Sequence, residues 1–310
     1  MKINEILNEL EIEHTAINQD LTIPASALPK QRVDGKILTK AGSHRCSVFY
    51  ETIENQGRYG IIQACKRVEG YQTRPAVVKR PRSPSLSLAP EAVLQSLCYY
   101  CMEEHGAHGA IPKPYDLFIF ANEVRFTMEY IEGMNFKQFI DTHGESEIIN
   151  CIIQLAYILH VLGEELSFDH RDLRIENIWI RPLSAPRSYR IELDSMEILE
   201  FKFQVVLLDF GFACLGSKAR KAIVNLGEGV FPQIDPCPKT GRDMYQFLNS
   251  CFENKIQDRL SSNSVNLFKE WMKPYKVIPA TLTYATTYDP KFELKSLNPV
   301  ELLKWYFYII

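Results

Sequence analysis

The sequence predicts an α+β fold of two unequal lobes, a β-rich small lobe followed by a mainly helical large lobe. Three observations carry this. Residues 37–80 hold three short stretches of β-formers, SVFYETI, GIIQACKRV and PAVVKR. Residues 146–165 place Ile148, Ile149, Ile152, Ile153, Leu155, Ala156, Ile158 and Leu159 nearly all round a helix, which predicts burial. Beyond 166 only two strand pieces, near NIWI and QVVLLD, interrupt further helical patterns. Sheets and helices each bury an apolar face against a partner, so two lobes with separate cores are expected, joined near 130–134.

Taken in order, residues 3–12 form an amphipathic pattern with Ile3, Ile6, Leu7 and Leu10 on one side, and 19–36 read as a connector. Residues 1–36 are thus an accessory helix and linker, 37–131 the small lobe and 132–310 the large lobe. Pro90 fits the first turn of a helix running to about Glu104. YDLFIF and EVRFTMEYI pair around an Ala121-Asn122 turn, and helices are expected over 135–142, 241–252, 262–272 and 299–306.

Composition narrows the setting. A net charge of −3 gives no global pull towards nucleic acid or anionic membrane. No run of about 18 apolar residues is present, and MKINEILNELEIEH lacks a signal-peptide core. Eight scattered cysteines suit buried thiols in a reducing compartment better than a disulfide frame. Cys98 and Cys101 form a lone C-x-x-C inside a helical run with no second ligand pair, so they read as core. An intracellular, cytoplasmic location is expected, with the oligomeric state left open.

The charged residues then demand an explanation. FDHRDLRIENIWI (168–180) sets a His-Arg-Asp triplet among apolar residues, and VVLLDFGFA (205–213) ends a run of β-formers on an acid. Phosphoryl transfer needs a cation on the phosphates, hard oxygen ligands for a divalent metal, and an acceptor for the attacking hydroxyl's proton. Lys79, the pair Asp209 and Asn177, and Asp172 are candidates for these three tasks.

These motifs resemble those of the protein-kinase superfamily. HRDLRIEN (His170–Asn177) matches the catalytic-loop pattern H-R-D-L-x-x-x-N, and Asp209-Phe210-Gly211 the metal-binding motif. The resemblance covers roughly 37–255 and implies a bilobal protein-kinase-like fold with ATP and Mg²⁺ as cofactors. It makes Asp172 the residue orienting the acceptor, Asn177 and Asp209 the metal ligands, and Lys79 the strand lysine on the α- and β-phosphates. Glu91 is the expected partner of Lys79, with Glu103 or Glu104 in reserve. Met128 would be the gatekeeper, with the main chains of Glu129 and Ile131 facing adenine. Asp243, in GRDMY, would brace the catalytic loop. Asp209 follows Asp172 by 37 residues, so about 181–204 reads as an insertion.

The pattern departs from the family in places. Aligning the phosphate-cradling glycine loop on Val48 leaves Gly42 as the nearby glycine, with Ala41, Ser43 and Cys46 where glycines are expected. Val77 stands above the adenine where alanine is usual; Trp179 either floors it or packs in the core. No A-P-E follows Gly211. Arg171 is placed to pair with a phosphorylated residue in the following segment, where Ser217 lies beside Lys218, Arg220 and Lys221. The large lobe is shortened, as in divergent kinases of large DNA viruses, to which VVKRP, EAVLQSL, IPKPYDLF and DPCPKTGRDMYQFL are similar; a viral chain of that kind would work in the host cytoplasm or the virion.

The expected activity is transfer of the γ-phosphate of ATP to a serine or threonine of an unidentified protein substrate. Arg174 stands where serine/threonine kinases carry a lysine. The rivals are a pseudokinase scaffold and a small-molecule kinase of the same fold.

Overall fold

The computed structural model describes residues 21, 23–39, 41–56, 60–83, 86–216, 222–226 and 235–308. The helix expected over 3–12 and the Ser217–Lys221 cluster lie outside them. Backbone contacts divide the chain into two units, residues 1–100 with 112–131, and residues 101–111 with 132–310.

In the first unit seven strands close a barrel: β1 (Lys30–Gln31), β2 (Lys36–Leu38), β3 (His44–Gln56), β4 (Gly60–Glu69), β5 (Gln72–Pro81), β6 (Pro114–Phe120) and β7 (Glu123–Glu129). They follow the order β1-β2-β3-β4-β5-β7-β6, and a parallel contact between Lys30 and Ile119 closes the ring. β1 comes from the segment expected to be a connector; a two-residue strand carries no period-2 signal. Ala121 (φ 50°) and Asn122 (φ 65°) both take positive φ between β6 and β7, the backbone a two-residue hairpin turn requires.

Strand alternation sets the two faces of β5. Ala76 and Val78 join Ile37, Cys46, Val48, Cys65 and Phe118 in the barrel core, so Val77 and Lys79 share the opposite face. Asp116 lies on the core side, buried, and takes bonds from Arg67 (Nε 2.7 Å), Arg45 (Nε 3.1 Å) and Thr127 (Oγ1 2.5 Å). Burial alone would raise its pKa, but Arg67, Thr127 and Arg45 outweigh that and hold it below the usual carboxylate value. The helix α1 (Ala89–Glu104) begins beside Pro90, and Cys98 and Cys101 are buried thiols on it.

The second unit is built around α3 (Glu145–Leu166), preceded by α2 (Phe136–Thr142), which Asn135 and Gln138 cap reciprocally. By length and composition α3 could cross a bilayer, but 67% of its most apolar window is buried inside the structure, as a core helix would be. Two three-stranded sheets flank it. One joins β8 (Met134–Asn135), β10 (Ile178–Glu192) and β11 (Met196–Leu207); the other joins β9 (Phe168–Asp169), β12 (Cys214–Gly216) and β13 (Ala222–Asn225).

The segment read as an insertion over 181–204 lengthens β10 and β11 into one hairpin, with a register shift between Pro182 and Arg187. Amides on α3 hold this hairpin: Gln154 Nε2 donates to the Phe203 carbonyl (2.8 Å) and Asn150 Nδ2 to that of Glu200 (2.9 Å).

The remaining helices are α4 (Arg242–Glu253), α5 (Ser262–Trp271), α6 (Ala280–Tyr288) and α7 (Pro299–Tyr308). Sequence patterning does not find α6, because ATLTYATTY is rich in β-branched residues of modest helix propensity. Tertiary bonds supply what propensity lacks. Asn249 Nδ2 on α4 donates to Thr283 Oγ1 (2.8 Å), and Gln246 Nε2 to Thr287 Oγ1 (3.0 Å).

One cysteine expectation is corrected. Cys214 and Cys237 form a disulfide, whereas Cys46, Cys65, Cys98, Cys101, Cys151 and Cys251 are buried thiols outside it. A separation of 23 residues gave no hint of the pairing. The fold makes it: β12 pairs with β9, and Gly216 lies so close to the Cys237 carbonyl that a Cβ would sit 1.9 Å from it.

Candidate active site

The loop following β9 is organised from below by α4. Asp243, Gln246 and Ser250 fall on one stripe of that helix, at spacings of three and four residues. The Asp243 carboxylate accepts from the backbone N–H groups of His170 (2.7 Å) and Arg171 (2.9 Å), Gln246 Oε1 from Leu173 N–H (3.2 Å), and Ser250 Oγ from Ile175 N–H (3.2 Å). Four successive parts of the loop are thereby fixed. Burial and the neighbouring Asp169 carboxylate push the Asp243 pKa well up.

The loop holds Asp172 and Asn177 together. Asn177 Nδ2 donates to the Asp172 carbonyl (2.7 Å) and reaches Asp172 Oδ2 at 3.5 Å, leaving the amide oxygen of Asn177 as its cation donor. Leu208 N–H donates to the Asn177 carbonyl (2.9 Å), tying this loop to the strand end that carries Asp209. His170 Nε2 bonds the Leu208 carbonyl (2.9 Å), and burial lowers the His170 pKa, so the ring acts as a neutral strut. Arg171 (φ 66°) and Asp209 (φ 60°) both occupy left-handed backbone, which costs on the order of 1–3 kcal/mol for a non-glycine residue and gathers at functional sites.

Asp172 is buried. Burial raises its pKa, opposed by Arg174, Tyr284 and His170. Arg174 Nε lies 3.5 Å from Asp172 Oδ1, with the side chain half-exposed. The Tyr284 hydroxyl, on α6, donates to the same Oδ1. No sequence signal singled out Tyr284, which lies 112 residues away in chain order.

Among the described residues no three His, Cys, Asp or Glu side chains cluster as a metal site. Asp209 and Asn177 nevertheless fit Mg²⁺, which takes one or two protein oxygens and draws its other ligands from phosphates and water.

In the first unit Lys79 and Glu91 meet: Nζ and Oε1 are 2.5 Å apart and both side chains are buried. The first turn of α1 places Glu91 there, while Glu103 turns to His108 Nδ1 (3.0 Å) and Gly109 N–H (3.3 Å). Val77 stands in register with Met128 on β7 and Ala64 on β4. Met128 Sδ is 3.4 Å from Gln95 Nε2, and Glu129 N–H donates to the Lys113 carbonyl (2.9 Å). Ile131, just past β7, is half-buried. Trp179, half-buried in the second unit, pairs with Val206 and Asn135, and its buried indole N–H has no hydrogen-bond partner among the described residues.

The structure corrects the glycine-loop alignment. Gly42 belongs to the β2–β3 turn, and Val48 is a core residue of the barrel. That turn lies at the opposite end of β3, roughly 40 Å along an extended strand, from the β3–β4 connection. It is the start of β4 that adjoins Lys79: Gly60 pairs with Pro81, and a Cβ there would meet Lys79 Cε at 3.0 Å. Gly42 and Val48 therefore leave the candidate set, and Gly60 enters it. The sequence carries two glycines in Gly57-Arg-Tyr-Gly60, one hairpin later than the Val48 alignment. Residues 57–59 lie outside the described ones.

Arg171 is a second correction. Its buried guanidinium bonds Asn225 Oδ1 (2.6 Å) and pairs with Asp235 Oδ2 (3.0 Å). The position expected to await a phosphate already has a carboxylate, which the rest of this ion cluster also holds: Lys239 Nζ at 2.5 Å and Arg242 at 2.7 Å.

No family model matches the chain. Over 250 residues it is 22% identical to "Probable kinase 098L" of Invertebrate iridescent virus 3, an alignment covering 78% of this chain and 45% of that relative. The chain thus spans less than half of the relative's length, and the similarity supports a kinase-like relationship.

Proposed function

We propose that this protein is an ATP- and Mg²⁺-dependent phosphotransferase of bilobal protein-kinase-like fold that acts on serine or threonine hydroxyls of a protein substrate. The observation that carries the reading is the catalytic loop, in which Asp243 anchors the backbone before Asp172 while Asn177 is turned on the Asp172 carbonyl. A scaffold has no physical need for this arrangement together with a buried Lys79–Glu91 pair.

Asp172 accepts the proton of the acceptor hydroxyl as its oxygen attacks the γ-phosphorus, and the bond from that phosphorus to the ADP oxygen breaks. Lys79, oriented by Glu91, holds the α- and β-phosphates. Arg174 balances charge near the transferred group with a planar head that offers several donors. Mg²⁺, when bound, neutralises charge on the phosphate oxygens; Asp209 and Asn177 would hold it. The rival scaffold reading rests on a degenerate glycine loop at 41–46 and on the bulk of Val77 and Trp179; of these, the 41–46 segment lies at the end of β3 away from Lys79.

Asp209→Ala removes the one carboxylate among these metal ligands. In a thermal-shift titration, ATP with Mg²⁺ is expected to stabilise the wild type, and the variant is expected to lose that metal-dependent increment. Equal increments in both would count against the assignment.

A further inference from the structure

We propose that Tyr284 is a positioning residue of this site: its hydroxyl fixes the Asp172 carboxylate so that Oδ2, rather than Oδ1, meets the acceptor hydroxyl. This rests on the phosphotransferase reading above. A carboxylate offers two oxygens with about four lone-pair positions. Oδ1 takes the Tyr284 hydroxyl and has Arg174 Nε at 3.5 Å, whereas Oδ2 has the long 3.5 Å approach of Asn177 Nδ2. Oδ2 is the oxygen with room for another donor.

The tyrosine is not placed by chance packing of a surface helix. α6 is bolted to α4 at both ends: Asn249 bonds Thr283 and also exchanges bonds with the backbone of Ile278 (2.8 Å each way), and Ala280 N–H donates to Glu253 Oε1 (2.5 Å). Lys239 Nζ donates to the Thr287 carbonyl (2.8 Å). Gln246 links the two parts directly, because its Oε1 accepts from Leu173 in the catalytic loop while its Nε2 donates to Thr287 on α6. Thr283 and Thr287 face α4, and the next position on the helix, Tyr284, delivers its hydroxyl to Asp172. One helix therefore sets both the aspartate and the group that orients it.

The test measures phosphate transfer from Mg-ATP to casein by the full chain, for wild type, Tyr284→Phe, Asp172→Asn and the double variant. Phenylalanine keeps the ring and its contact with Tyr288 (5.7 Å between centroids), so the fold is retained. Tyr284→Phe is expected to lower kcat by about tenfold, the effect of losing one hydrogen bond to a charged oxygen, with KM for ATP and for casein unchanged. In the Asp172→Asn background the same substitution is expected to add nothing. A rise in kcat, a change confined to KM, an equal loss in the Asp172→Asn background, or phosphate recovered on Tyr284 would each overturn the proposal. Absence of transfer by the wild type would instead remove the phosphotransferase reading, and this proposal with it.

Discussion

Lys79→Met is expected to reduce phosphoryl transfer by about a hundredfold or more, the scale seen when one preorganised electrostatic group is removed from a developing charge. The aliphatic stem survives, so the loss isolates the ammonium. The structure adds a consequence for stability. Glu91 is buried and 2.5 Å from Lys79 Nζ, and a methionine there leaves its carboxylate in the interior without that cation. Breaking a buried pair on one side costs about 3–5 kcal/mol. The single variant should therefore unfold earlier in urea as well as turn over more slowly. Adding Glu91→Leu removes the buried charge, so the double variant should regain stability and stay inactive. If Lys79→Met left turnover unchanged, Lys79 would be an ordinary strand residue.

Arg242→Met should be the most destabilising single change in the second unit. Its guanidinium is fully buried, bonding Asp169 through Nε (2.8 Å) and the Pro236 carbonyl (3.0 Å), and it pairs with Asp235 at 2.7 Å. Asp235 would keep Lys239 and Arg171, but among the described residues Asp169 would keep only the Lys239 backbone N–H (2.8 Å) and its neighbour Asp243. The loss therefore falls on Asp169, and about 3 kcal/mol, the lower end of the range for a broken buried pair, is expected. Urea unfolding followed by circular dichroism should show a lower midpoint with an unchanged slope. A midpoint equal to wild type would mean that the remaining cations carry the cluster unaided.

Much of this could be read from the chain because the signals were local. The hairpin at Ala121-Asn122 and the buried helix α3 follow from periodicity and turn chemistry within a few residues. The candidate site residues Asp172, Asn177, Asp209 and Lys79 came from short motifs in order. What escaped was set by contacts distant in sequence. The Asp235 partner of Arg171, the Cys214–Cys237 pairing and the Tyr284 hydroxyl on Asp172 all join segments with no shared pattern. α6 escaped because its threonines argue against a helix until Gln246 and Asn249 are seen to bond them. The glycine loop was misplaced for a different reason: a single valine anchored the alignment, and strand count rather than residue identity decides which strand end adjoins Lys79.

The central claim is transfer of a γ-phosphate, and the direct measurement is label from γ-labelled ATP appearing on serine or threonine of added protein acceptors, with and without Mg²⁺. Metal-dependent transfer by the wild-type chain, cut to a small residual rate in Asp172→Asn while Mg-ATP still stabilises that variant, is the predicted result. A folded wild-type chain that binds Mg-ATP and labels no acceptor would contradict it.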